Sequence, residues 1–311
     1  MTAPPIYISG LSYELGELAA IESLPELVRD GEALRFLRMV GCRHFARLER
    51  PMGDVLVDVG RKALDKARIA RSEIGAIVYA SSTFDASGHS NDIPRLAAAL
   101  GLDEAIPYGI FLGNCTNFSL GLSTARALVR DAGRSVLLLS ADCIATSGRA
   151  SRIPDKRICV LSDGVVGAVV TAQDRGGYEL CGIDSRHRGE LYQLDRQSTL
   201  GEVSYIEAMG QAVADVCASL RQRLGLAIDD FAWIVTGNYH AQIMQSYAEL
   251  AGFSPAMLFR DNLPRFGHSF AADQLIALAD LADSGRITRG DNVLLVGTSD
   301  FLWSATVARA R

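Results

Sequence analysis

Cys115 lies in Leu112-Gly-Asn-Cys-Thr-Asn-Phe118, directly after a run with strand character and at the first turn of a predicted helix. A strand-to-helix elbow exposes its central residue, and the helix N-terminus supplies unpaired N–H groups and positive potential. Both effects favour thiolate over thiol, and the same N–H groups can hold the oxyanion of a tetrahedral acyl intermediate. A core cysteine at a strand end is the plain alternative. In the back half of the chain His268 also precedes a predicted helix. A cysteine and a histidine at paired helix starts are the ingredients of nucleophilic catalysis.

Positioning such a pair requires a framework. Short apolar runs predict strands at Ile6–Ser9, Ala76–Ala80, Tyr108–Leu112, Ser135–Ser140, Ile158–Leu161 and Val165–Thr171. Others follow at Glu179–Asp184, Trp233–Thr236, Met257–Phe259, Val293–Gly297 and Trp303–Ala308. Between them, spacings near 3.6 predict helices, one through Phe118, Leu122, Ala125 and Val129, another through Ile206, Met209, Val213, Val216, Leu220 and Leu224. Alternation of the two predicts an α/β fold with helices covering sheets. The order of elements from about Val55 recurs from about Val203. Two topological copies are therefore expected, residues 1–174 and 175–311, joined near the polar Gln173-Asp-Arg-Gly-Gly177. Packed about a pseudo-twofold axis, they would bring equivalent helix starts face to face.

The chain has 311 residues, 49% apolar and 22% charged, with 31 basic against 36 acidic side chains and a net charge of −5. A net-acidic chain without a dense Lys/Arg run argues against nucleic acid as a partner. Its apolar runs are strand-sized, so no membrane span is expected, and Met-Thr-Ala-Pro-Pro shows no signal-peptide pattern, which predicts a cytoplasmic protein. The six cysteines form no CxxC pair. Neither disulfides nor a metal site is expected, and five of the six read as small buried hydrophobes.

Four segments carry a resemblance to a known family. Gly113-Asn-Cys-Thr-Asn-Phe118, Leu161-Ser-Asp-Gly-Val-Val-Gly-Ala-Val-Val170, Arg265-Phe-Gly-His-Ser-Phe-Ala-Ala272 and Phe301-Leu-Trp-Ser304 resemble, in order, motifs of the β-ketoacyl-acyl-carrier-protein synthase III family of the thiolase superfamily. The resemblance spans nearly the whole chain. It implies a thiolase fold of two pseudo-symmetric halves in an αβαβα layered arrangement, an acyl-thioester on Cys115 and, usually, a homodimer.

Condensing members of that family use Cys-His-Asn, the last two stabilising an enolate. Here Gly237 falls at the histidine position and His268 at the asparagine position. Losing one such donor typically costs about a hundredfold or more. His268 can instead act as general base toward a hydroxyl, amine or thiol acceptor. Asp273, five residues on, can orient the imidazole. Ser269 is the expected N-cap. A Cys-His-Asp arrangement resembles a subgroup of ketosynthase-III-like acyltransferases. His240 is the competing base, Asn238 a candidate substrate donor, and Ser299 a candidate oxyanion-hole N–H in Thr298-Ser-Asp300. His89 and the loop Ser82–Asn91, with Arg186–Gly201, are candidates for shaping the acyl pocket.

No bound cofactor is expected, the acyl donor being a phosphopantetheine thioester on a carrier protein or on CoA. Arg35 and Lys156 stand where CoA-using relatives hold the adenine with Trp and Arg, which favours an acyl carrier protein. Two basic clusters, Arg35, Arg38, Arg43, Arg47 and Arg50, and Arg149, Arg152, Lys156 and Arg157, suit an acidic carrier. The leading reading is an acyltransferase of natural-product biosynthesis. It serves a small-molecule or carrier-bound acceptor through a Cys115 acyl-enzyme. A decarboxylative condensing enzyme and a non-catalytic partner subunit of a ketosynthase heterodimer are the alternatives.

Overall fold

In the computed structural model, residues 4–83, 89–154, 156–196 and 198–311 are described, without side chains at 89–91. The chain begins β1 (Tyr7–Glu14), β2 (Glu17–Ala20), α1 (Pro25–Arg29), α2 (Gly31–Met39), β3 (His44–Arg47) and α3 (Met52–Lys66). It continues through β4 (Ile74–Ala80), α4 (His89–Leu100), β5 (Ile106–Ile110), α5 (Asn117–Ala132), β6 (Ser135–Asp142) and β7 (Gly164–Thr171). Then come β8 (Tyr178–His187), α6 (Thr199–Leu224), β9 (Phe231–Val235), α7 (Ala241–Leu250), α8 (Asp273–Ser284), β10 (Asn292–Thr298) and β11 (Leu302–Ala310).

Nine strands form one mixed sheet in the order β5-β4-β6-β7-β1-β8-β11-β10-β9. β4 pairs parallel with β5 and β6, and β7 lies antiparallel to β6. In mirror order, β10 pairs parallel with β9 and antiparallel with β11. The two sets meet where β1 runs antiparallel to β8, Tyr7 opposite Glu179.

Every residue of β6, β7 and β10 is buried, the signature of strands covered on both faces. Alternation along each strand assigns its side chains to different cores. Val136 and Leu138 enter a middle core with Phe118 and Leu122 of α5 and Leu275 and Leu278 of α8. Leu137 and Leu139 turn to an outer core with Val59 of α3 and Leu96 of α4. Across the seam, Val293 and Leu295 join the middle core, while Leu294 and Val296 pack with Val213 of α6 and Met244 of α7. The layers are thus α3/α4, the first sheet half, α5/α8, the second sheet half and α6/α7, a thiolase fold.

Some sequence expectations need correction. Ile158–Leu161 is not a strand. Its backbone groups are spent on scattered partners (Leu161 N–H to Arg152 O, Ile158 O from His240 N–H), which leaves one bridge, Leu161 to His268. Met257–Phe259 is likewise reduced to a bridge between Ile234 and Leu258, because a Ser254-capped turn at Pro255–Met257 consumes its start. In the α6 stripe, Ile206 is exposed rather than core. The two-stranded antiparallel sheet of β2 and β3, which α1 and α2 separate in the chain, was not anticipated. Residues 84–88 and the side chain of His89 lie outside the described residues. No helix among the described residues is long and apolar enough to cross a membrane.

Candidate active site

The turn that carries Cys115 follows β5. Asn114 adopts φ 48°, left-handed and uncommon for a residue with a Cβ, and opens a 3-10 turn, Asn114–Thr116, that runs into α5. The turn is braced from several sides. Thr116 Oγ1 donates to Gly113 O at 2.6 Å, Gly113 N–H donates to Asn117 Oδ1 at 2.8 Å, and Asn117 Nδ2 donates to Ser81 O at 2.8 Å. Cys115, half-buried, is held at the top of this turn. The Asn114 and Cys115 N–H groups precede any acceptor inside the helix.

The opposing loop is pinned to the first half of the molecule by a parallel bridge. His268 N–H donates to Val160 O at 2.7 Å, and His268 O accepts from Ser162 N–H at 2.9 Å. Only glycine fits at 267, where a Cβ would sit 2.0 Å from Val160 O. Beyond His268, Phe270 adopts φ 51° and opens a 3-10 turn, Phe270–Ala272, leading into α8.

These two constructions bring Cys115, His268 and Asp273 together. Cys115 Sγ lies 3.1 Å from His268 Nε2. His268 Nδ1–H donates to Asp273 Oδ2, which also accepts from Asn238 N–H at 2.6 Å, while Oδ1 accepts from Ser269 N–H at 2.8 Å. With three donors on the carboxylate and the imidazole buried, the ring has little freedom to turn. Burial alone would push the imidazole below its ordinary value. The Asp273 carboxylate, joined by the Cys115 sulfur, more than reverses this and raises it to about 10. Two aromatic rings pack on the imidazole, Tyr239 at 4.6 Å and Phe270 at 5.4 Å between centroids. Sulfur, imidazole and carboxylate in sequence form a relay able to carry an acyl group and move a proton.

A family model described as 3-oxoacyl-[acyl-carrier-protein (ACP)] synthase III C terminal matches residues 221–310. The β-ketoacyl-[acyl-carrier-protein] synthase III of Sphingopyxis alaskensis is 28% identical over 309 residues, covering 93% of this chain and 91% of that protein. Along nearly its whole length the chain is similar to ketosynthase III-like proteins. ChlB3, described as an acyltransferase, superimposes with a TM-score of 0.87 at 19% identity, over 99% of this chain and 98% of that one. The Aquifex aeolicus 3-oxoacyl-[acyl-carrier-protein] synthase III gives 0.81 at 18% identity, over 98% and 99%. At such low identity these two likenesses speak for the fold alone.

In this ketosynthase III-like protein the remaining candidates stand elsewhere. His240 is the N-cap of α7. Its Nδ1 accepts from Ile243 N–H at 3.4 Å and its ring meets Phe36 edge-on, so the contacts described for it are structural and do not include Cys115. Asn238 Nδ2 donates to the carbonyls of Asn262, Phe266 and Gly267, which makes it a brace for the histidine loop rather than a donor to substrate. Ser299 N–H is taken by Leu302 O at 2.9 Å in the β10–β11 turn, which removes it as an oxyanion donor. The Ser269 side chain makes no cap. The carboxylate of Asp273 does that work on the Ser269 N–H.

The basic clusters are largely neutralised. Arg38 pairs with Glu22, Arg47 with Glu17 and Glu49, Arg50 with Glu14 and Asp58, Lys156 with Glu202, and Arg157 with Asp30. Arg152 is buried against Asp163. Sequence reasoning passed over Tyr239. A Cβ at Gly237 would lie 2.7 Å from Cε2 of its ring, so the ring fills the space where a condensing relative is expected to carry histidine. The only signal was a glycine two residues before a tyrosine. A groove of about 500 Å3 opens between α6 and α7, lined in part by Ile206, Met209, Ile243 and Tyr247, and Tyr247 packs on Tyr239. No cluster of metal-ligating side chains occurs among the described residues.

Proposed function

We propose that this protein is an acyltransferase that moves an acyl group from a phosphopantetheine thioester, carried by an acyl carrier protein, through a Cys115 acyl-enzyme to a hydroxyl, amine or thiol acceptor. The supporting observation is the 3.1 Å approach of Cys115 Sγ to His268 Nε2, the sulfur's sole side-chain hydrogen-bond partner among the described residues. The Cys115 thiolate attacks the thioester carbonyl, with the oxyanion facing the N–H groups of the first turn. The departing pantetheine sulfur takes the proton from the His268 imidazolium. The acylated sulfur is neutral, so the imidazole, now a free base oriented by Asp273, accepts the proton of the acceptor as that atom attacks. The C–S bond then breaks and returns the thiolate.

A decarboxylating condensation asks for two donors on the enolate oxygen, and with Gly237 the imidazole of His268 is the one side-chain donor beside the sulfur among the described residues. Residues 1–174 carry the nucleophile in this scheme and 175–311 the base. We further infer a homodimer through β5. It is the end strand of the sheet and exposes Ile106 (58%) and Tyr108 (37%), with Leu112 (99%) just beyond it.

Intact-mass measurement after incubation with acyl carrier thioesters tests the reading. An acyl adduct on the wild type, absent from Cys115→Ala, is expected. A malonyl carrier should release no carbon dioxide. No adduct, or one persisting in Cys115→Ala, sinks the acyl-enzyme, and carbon dioxide release sinks transfer in favour of condensation.

A further inference from the structure

A base that takes a proton from an alcohol takes one equally well from water, and water is always at hand. An acyl-enzyme that waits for its acceptor must therefore keep solvent off the imidazole. The Tyr239 ring is placed to do this. It packs on His268 at 4.6 Å with a 37° tilt, and its hydroxyl is tethered to Thr298 Oγ1 at 3.1 Å, at the end of β10. The edge of Tyr247 backs it at 5.8 Å. Its N–H donates to Gly237 O at 2.8 Å, a tight turn that folds the ring over a residue with no side chain of its own. Any Cβ at 237 would displace it. Tyr239 is buried and its hydroxyl is bound to Thr298, so its effect on the chemistry passes through His268.

We propose that Tyr239 is the positioning residue that shuts water away from His268 and holds its ring between Cys115 and Asp273, so that the acyl-enzyme awaits its acceptor instead of being hydrolysed. This rests on the acyl-transfer reading. In the reaction it suppresses, a water oxygen bonds to the acyl carbon and its proton passes to His268 Nε2. The C–S bond breaks, and the sulfur regains the proton, leaving a carboxylic acid and free Cys115.

Two measurements on Tyr239→Ala and Tyr239→Phe decide it, with Tyr239→Leu replacing the alanine variant should that fail to fold. Deuterium exchange at the His268 ring carbon C2, read by mass spectrometry, needs no acyl donor. Lifetime of the acyl-enzyme, loaded with butyryl-N-acetylcysteamine thioester and followed by intact mass, reads hydrolysis. Opening the ring's place should speed both by about tenfold or more, short of the roughly hundredfold at which full general-base assistance begins, and phenylalanine should restore wild-type behaviour. Either rate staying at the wild-type level in a folded alanine or leucine variant overturns the inference, as does failure of phenylalanine to restore it. A wild type that takes no acyl group sinks the acyl-transfer reading instead, and histidine exchange then decides the role of Tyr239 by itself.

Discussion

Asn117 and Asp273 occupy equivalent places in the two halves of the molecule. Each is the first residue of its helix, α5 or α8, and each accepts through Oδ1, at 2.8 Å, the N–H four residues before it, Gly113 or Ser269. Each follows a 3-10 turn opened by a left-handed residue, Asn114 or Phe270. The halves diverge in what the rest of the side chain does. Asn117 turns its amide to Ser81 O as a strut, whereas Asp273 turns its second oxygen to His268 Nδ1. One folding device thus braces the Cys115 turn on one side and orients an imidazole on the other.

Asp273→Asn should leave the fold intact and lower kcat for acyl transfer by about a thousandfold, with KM little changed. The amide can still accept the Ser269 N–H, but it favours the wrong imidazole orientation and charge. Steady-state kinetics on a folded variant would show it. A loss confined to KM would mean that Asp273 serves binding alone.

The Asp273–His268 pairing also sets a pH dependence. The ordinary imidazole value is 6.5, and in the folded protein it is raised to about 10. The folded state therefore holds this proton longer than the unfolded chain does. Its contribution to stability is whole below 6.5 and is lost as pH rises through about 10. Denaturant unfolding of the wild type and of His268→Gln across that range should show the wild type's advantage shrinking as pH increases. An advantage that grows with pH contradicts the charge arrangement.

Gly267→Ala tests how the two halves are pinned. A Cβ there meets Val160 O at 2.0 Å, and the backbone has no slack because His268 N–H and O are both bonded to the 160–162 segment. A loss of about 3 kcal/mol or more is expected, since overpacking here pushes against backbone. The reactivity of Cys115 toward iodoacetamide should also fall as the imidazole shifts. Wild-type stability in this variant would contradict the tight bridge.

Ile106→Lys places a charge on the exposed edge of β5, a change that natural edge strands use to block pairing. Light scattering should show the proposed dimer converted to monomer at equal concentration. A dimer that persists, with an unchanged dissociation constant, moves the interface elsewhere.

Much of the framework was legible because period and burial are local properties of the chain. The apolar runs at Val136–Leu139 and Val165–Val170 have strand length and suit strands covered on both faces, and helix and strand alternated often enough to imply layers. The strand-to-helix setting of Cys115 was readable for the same reason.

Which groups face that sulfur was a different matter. His240 and His268 each precede a helix in the sequence, and nothing local separates a capping histidine from one beside the thiol. The distinction came from contacts more than a hundred residues apart along the chain, above all the bridge between 160–162 and 267–268. Ser299 and Asn238 were misread for the converse reason. Their donors looked free in the sequence, but buried N–H groups in a folded chain must find acceptors, and Leu302 O and the carbonyls of Asn262, Phe266 and Gly267 took them. The amino-acid order by itself determined the layers and the strand-to-helix setting of the cysteine. Only tertiary structure, through long-range competition for hydrogen bonds and for the space above Gly237, decided which imidazole stands beside it and which ring covers that imidazole.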